Sequence, residues 1–175
     1  SLTEKGDKIA VQPPVYHPFF HVVNDTERCL VYNPLIRTEN SYKMDFDNLE
    51  KLAKNGLKAL ILSNPHNPVG RVWNKNELLR LGEIAEKYDF LLISDEIHQD
   101  LIYKTYQHTP LAALTEELAQ RTITCIAPSK TFNVAGLASS VIIIPNQKLK
   151  RKYEKLLSAM HLDSGNLFGH IAMQA

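Results

Sequence analysis

The stretch APSKTFNVAG, residues 127–136, places one lysine, Lys130, among small, polar and glycine residues. An apolar run precedes it and another follows. A lysine amine outside a cloud of other charges is suited to covalent work on a carbonyl, through a Schiff base. Three further segments hold groups that serve the same chemistry: the aromatic cluster PPVYHPFF with Tyr16, the Asn-Pro turn SNPHNPVG, and the step DEIH with Asp95. Pyridoxal phosphate catalysis needs such a set. It takes a lysine for the aldehyde and a carboxylate that keeps a ring nitrogen protonated. It also takes a flat ring to stack on the cofactor, donors to its phenolic oxygen, and polar groups for its phosphate. Each segment alone has an ordinary reading as well. Lys130 could be solvated, Asp95 could cap a turn, NPHNPVG could be only a loop, and Tyr16 could pack on Phe19 and Phe20.

What unites the segments is the set of elements that carries them. KIAVQ, RCLVYNPL, LKALILSNP, FLLISDE, TITCIAP and SSVIIIPN read as six strands, short apolar runs bounded by turn residues. DFDNLEKLAKN, NKNELLRLGEIAEKY and NQKLKRKYEKLLSAMH read as helices. In the second, Leu78, Leu79, Leu81, Ile84 and Ala85 form an apolar stripe, with Asn74 or Asn76 as the cap. The alternation predicts an α/β fold, a three-layer α/β/α sandwich with a mostly parallel sheet. The continuous apolar strands predict burial on both faces. Ligands of such sheets bind beyond the carboxyl ends of the strands. The aromatic cluster, the Asn-Pro turn, the acid and the lysine each follow a different strand, so all four are expected at one rim.

Bulk properties exclude several alternatives. The 175 residues carry a net charge of +1, which argues against a nucleic-acid partner. KLKRKYEKL then reads as a solvated helix face. No apolar run approaches the ~20 residues of a membrane span, and SLTEKGDKIA does not read as a signal peptide, since its charged stretch is followed by only a short apolar one. Cys29 and Cys125 read as two reduced, buried thiols of a cytoplasmic protein. His17 and His21 flank Pro18 without an evident third ligand, which disfavours a metal site. Trp73 reads as packing, whereas His66 is open between a substrate contact and a solvated loop position. No phosphate-binding glycine motif of the dinucleotide or P-loop kind follows a strand.

The segments GDKIAVQPPVYHPFF, LILSNPHNPVGRVW, LLISDEIHQDLIY and APSKTFNVAGLASS, in this order, resemble the fold-type I pyridoxal-phosphate enzymes of the class I/II aminotransferase superfamily. Within it they look most like the cystathionine β-lyase-like C–S lyases. The resemblance implies pyridoxal 5'-phosphate as cofactor and a role for each matching position. Lys130 would hold the cofactor and move protons at the substrate Cα. Asp95 would pair with the pyridine nitrogen, and Asn67 and His98 would reach the phenolic oxygen. Tyr16 would stack on the ring and Ser129 would contact the phosphate. A cis bond between Asn67 and Pro68 is also implied. Where many relatives carry a phosphate-binding arginine after GL, this chain has Ala138 and Ser139. NLFGHIAMQA looks like an unfinished helix. The resemblance therefore makes residues 1–175 the central part of the large cofactor domain, without the N-terminal arm and the small C-terminal domain. The implied activity is β-elimination from an amino-acid substrate such as cystathionine, in a homodimer. Aminotransfer is the alternative, and a non-catalytic regulatory or binding domain is a third reading.

Overall fold

The computed structural model describes residues 2–162 and 165–174. Its centre is a six-stranded sheet. The strands are β1 (Lys8–Val11), β2 (Cys29–Tyr32), β5 (Leu57–Ser63), β6 (Leu91–Asp95), β7 (Thr122–Ile126) and β8 (Val141–Ile143). β3 (Ile36–Arg37) and β4 (Tyr42–Lys43) form a separate antiparallel hairpin. The six expected strands are thus all present, each within a few residues of its apolar run. Their order is β2-β1-β5-β6-β7-β8. All neighbours are parallel except β7 and β8, which run antiparallel.

The helices are α1 (Pro18–Asp25), α2 (Phe46–Lys54), α3 (Lys75–Lys87), α4 (Glu116–Arg121), α5 (Pro128–Thr131), α6 (Gln147–Ala159) and α7 (Leu167–Gln174). Side chains of β5 alternate between two cores, as a strand's pleat dictates. Leu60 and Leu62 join Leu49, Leu78, Leu81, Phe90, Leu111 and Leu118 beneath α2, α3 and α4. Ala59 and Ile61 join Ile9, Val11 and Val23 beneath α1. Helices therefore cover both faces, the expected three-layer α/β/α arrangement. Each fully buried Leu or Phe contributes roughly 1.5–3 kcal/mol of transfer free energy, and this two-sided burial holds the central strands in place.

Local signals set the helix ends. Asn74 is the cap of α3: its side chain accepts from Glu77 N–H at 3.0 Å, and Glu77 accepts from Asn74 N–H at 2.9 Å. Asp45 and Thr115 cap α2 and α4 with the one-sided bond alone, accepting from Asn48 N–H at 2.9 Å and Leu118 N–H at 3.1 Å. The α3 stripe buries Leu78, Leu81, Ile84 and Ala85 as expected, while Leu79 is only half-buried and Gly82 is buried with them. Trp73 is fully buried, as its packing role requires. α6, carrying the basic run, buries none of its residues.

Two expectations fail at the sheet edges. Cys29 is exposed, not buried, because β2 is an edge strand with one flank open. Ile143 on β8, the other edge, is exposed as well, so the apolar runs of the edge strands are not buried on both faces. Cys125 is half-buried in interior strand β7. Burial first, then the charges of Asp95 and Glu96, push its thiol up to about 12, which leaves it inert.

Gly82 marks a close approach of α3 to α4. A Cβ built there would lie 2.6 Å from Leu118 Cδ2 and within 3.0 Å of two more atoms of that buried leucine. Alanine normally stabilises a helix interior by ~1 kcal/mol over glycine. Here the overlap wins: Gly82→Ala is expected to lower stability by about 1–3 kcal/mol, read as an earlier midpoint in urea denaturation. A stabilised variant would show that α4 yields freely.

Candidate active site

Four adjacent strands, β1, β5, β6 and β7, run parallel, so their carboxyl ends share one rim. Neighbouring strands are ~4.8 Å apart, which puts the four ends within about 15 Å across the sheet. The register aligns them: Ser63 lies opposite Asp95, and Asp95 opposite Cys125. Beyond these ends come Tyr16, Asn67, Asp95 with His98, and Ser129 with Lys130, in that lateral order.

Each segment is shaped locally. After β1, Pro13 and Pro14 turn the chain, and Tyr16 precedes the first turn of α1. The tyrosine is 41% exposed and meets Phe19 edge-on, with ring centres 5.8 Å apart. After β5, the buried Ser63 hydroxyl donates to Pro65 O at 3.1 Å and accepts from Asn67 N–H at 3.1 Å, folding the turn back on its strand. The Asn67–Pro68 bond is cis, and so are Pro13–Pro14 and Asn64–Pro65. Asn67 and His98 line one small pocket together with Pro65, His66 and Leu101. After β7, Lys130 lies in the single turn of α5 and is exposed. Thr131 Oγ1 donates to Asp100 Oδ2 at 2.7 Å, which ties this turn to the segment that follows Asp95.

Asp95 is the electrostatic centre. It is half-buried, and desolvation pushes its carboxyl above the ordinary range. The Ile97 N–H, 3.4 Å from Oδ1, and the nearby positive charges of His98 and Lys130 pull in the other direction. Among the described residues the Ile97 N–H is the only hydrogen-bond donor to this carboxylate. The side-chain polar atoms of Tyr16, Asn67, His98, Ser129 and Lys130 likewise form no hydrogen bond among the described residues. A half-buried acid with one long hydrogen bond and no ion pair among the described residues, flanked by His98 and Lys130 and sharing its rim with further uncommitted donors, fits a ligand with a protonated ring nitrogen and anionic oxygens. Ser129 stands somewhat apart: it lines an apolar cavity with Phe132, Leu137, Gly169 and Met173.

Two buried residues at this rim have surroundings that the sequence does not disclose. Glu96, next to Asp95, is fully buried on the opposite face of the strand line. Its Oε1 accepts from the Ser94 hydroxyl at 2.7 Å and from Leu111 N–H at 3.1 Å, and its Oε2 pairs with His108 Nε2 at 2.9 Å. Glu96 thus pins both ends of the long 97–110 segment. His66 is neither a solvated loop residue nor placed toward open solvent, since only 1% of it is exposed. The pleat of LLISDE was the available signal for Glu96, because residues two apart share a face and Leu92 belongs to the core beneath α3.

The aminotransferase class I and II family model matches residues 1–173. Over 176 residues the chain is 44% identical to cystathionine beta-lyase PatB of Bacillus subtilis, covering all of this chain and 46% of that protein. It is 32% identical over 158 residues to human kynurenine–oxoglutarate transaminase 3, covering 86% of this chain and 35% of that one. Cystalysin from Treponema denticola, whose crystal structure contains a pyridoxal 5'-phosphate cofactor, aligns with a TM-score of 0.94 at 42% identity, over 98% of this chain and 44% of that chain. The chain spans a little under half the length of the PatB and cystalysin chains and about a third of the human transaminase.

Two outcomes follow from the site's electrostatics. Asp95 binds its proton more tightly when folded, so the protonated form adds stability that is complete below pH ~3.9. That contribution is lost as pH rises through the raised folded value. Asp95→Asn in the ligand-free protein is therefore expected to be more stable than wild type at pH 7, with the difference closing below about pH 4. Denaturation at a series of pH values reads this, and a pH-independent difference contradicts it. Glu96→Ala leaves two donors and an imidazole without their buried acceptor, and is expected to cost about 3–5 kcal/mol on the same measurement.

Proposed function

The chain belongs to the aminotransferase class I and II family, and on that premise we propose that it forms the central part of the pyridoxal 5'-phosphate-binding large domain of a C–S β-lyase. The observation that carries the reading is half-buried Asp95, with His98 and Lys130 near it, on a rim where four neighbouring parallel strands also deliver Tyr16, Asn67 and Ser129. Bound pyridoxal phosphate supplies an aldehyde and an electron-accepting ring. This chain's residues would do the rest. The Lys130 amine would hold the cofactor at its aldehyde carbon and would take the Cα proton of the bound substrate. Asp95 keeps the ring nitrogen protonated, because opposite charge at short range in a poorly solvated site favours the cationic form. Asn67 and His98 donate to the phenolic oxygen, Tyr16 covers the ring face, and the Ser129 hydroxyl binds the phosphate.

With cystathionine or a related cysteine conjugate, the Cα–H and Cβ–S bonds break and the thiolate leaves. Water then completes the release of pyruvate and ammonia. The C–S lyases among the relatives favour this outcome over aminotransfer. Aminotransfer is the second reading, supported by the transaminases that match over most of this chain. Both use the same residues up to loss of the Cα proton. The full-length protein is further proposed to be a cytoplasmic homodimer that acts on a small amino-acid substrate. Among the described residues no helix is long and apolar enough to cross a membrane.

Lys130→Ala in the full-length protein is expected to abolish covalent fixation of the cofactor by borohydride. Turnover should fall by about 10²–10⁴-fold from lost proton transfer alone. Undiminished labelling would assign the covalent role to another lysine. Wild-type protein given cystathionine should release thiol and pyruvate in equal amounts. Rapid keto-acid-dependent amino transfer without pyruvate would replace the lyase by the aminotransferase.

A further inference from the structure

The connection order of the sheet reverses between β1 and β5: β1 leads outward to β2, while β5 lies on its other flank. Crevices at such switch points are where open α/β sheets take ligands. Here the crevice is bridged by one side chain. His66, on the β5 side, places Nε2 3.0 Å from Pro14 O on the β1 side. A carbonyl oxygen only accepts, so Nε2 carries the proton and donates. Burial lowers the affinity of the ring for a second proton, which keeps it neutral and in that donor form.

The ring is locked on the β5 side. It meets fully buried Trp73 edge-on, with centres 5.5 Å apart. Trp73 in turn donates its indole N–H to Ser63 O at 3.0 Å and carries the Arg71 guanidinium over its face at 4.7 Å. The backbone of His66 closes the turn through Arg71 O at 2.7 Å and Gly70 N–H at 2.8 Å. On the β1 side, Pro13 O is held by Leu35 N–H at 2.7 Å, toward β2. Past the end of the β1–β5 ladder, the His66 bond to Pro14 O continues the connection toward β5.

Tyr16 follows Pro14 by two residues, and Asn67 follows His66 directly. We propose that His66 is a positioning residue. Its bond to Pro14 O fixes the separation of Tyr16 from Asn67, and so the width of the slot between the side chain that covers the cofactor ring and the one that meets its phenolic oxygen. The inference rests on the cofactor reading above. It adds a residue that does not touch the cofactor and sets the geometry of two that would.

The test uses the full-length protein and pyridoxal 5'-phosphate as the probe. His66→Phe keeps a flat ring against Trp73 and removes the donor. His66→Gln retains a donor of similar reach. Titration by visible absorbance is expected to show about tenfold weaker cofactor binding and a displaced absorbance band for H66F, the loss set by one buried hydrogen bond. H66Q should stay within about threefold of wild type with the band in place. If both variants only lower the melting temperature of the cofactor-free protein, with binding and band unchanged, His66 is a packing residue and the proposal is overturned. Should H66F not fold, His66→Asn, whose amide is too short to reach Pro14 O, takes its place against H66Q; equal binding by the two overturns the proposal as well. If wild type itself takes up no cofactor, the failure lies in the cofactor reading, seen in the wild-type arm alone, and this inference falls with it.

Discussion

The parallel ladder between β5, β6 and β7 is the constraint on which the site depends. Ser63, Asp95 and Cys125 lie side by side in register, and every side chain of the proposed site is counted outward from that line. A shift of one residue in β6 would turn the Asp95 carboxyl toward the core beneath α3 and present Glu96 to the rim. The register holds because both faces of these strands are buried. Leu60, Leu62 and Leu92 pack on one side, and Ala59, Ile61 and Ile93 on the other. The apolar layers thus fix the polar rim to within a residue.

At that rim the fold tolerates a local cost. A half-buried carboxylate with one long hydrogen bond is poorly solvated and poorly paired. Nearby His98 and Lys130 offset part of this, and a ligand cation would offset more. The neighbouring acid shows the opposite treatment. Glu96 is fully buried and has an acceptor role for every donor around it. One backbone step separates a carboxyl kept for the fold from a carboxyl left for a ligand.

How much of this could be read from the residues depends on the range of the interactions involved. The six strands were legible because each is an apolar, β-branched run closed by turn residues. The rim followed, since parallel strands must share an end. α4 and α5 were not legible, with six and four residues too short to show a helical period. α1 was hidden in an aromatic loop, although Pro18 suits a first helical turn. The exposure of Cys29 needed the strand order, which no local pattern contains. His66 and Glu96 were missed for a different reason. Their burial depends on partners far along the chain, Pro14 at 52 residues' separation and Leu111 at 15. The roles of Tyr16, Asn67, Asp95, His98, Ser129 and Lys130 came from family resemblance, since residue type alone left ordinary alternatives for each.

The segment 97–110 illustrates what such anchoring permits. It is fastened at its base by Glu96 and by the Asn64 side chain, 3.4 Å from Thr109 O, while Leu101, Tyr103 and Tyr106 project outward and are well exposed. Its ends are held by buried bonds, whereas the outward aromatics Tyr103 and Tyr106 carry little of the packing. Descendants of one ancestral scaffold could therefore exchange the outward aromatics and acquire new substrate preferences without refolding the domain.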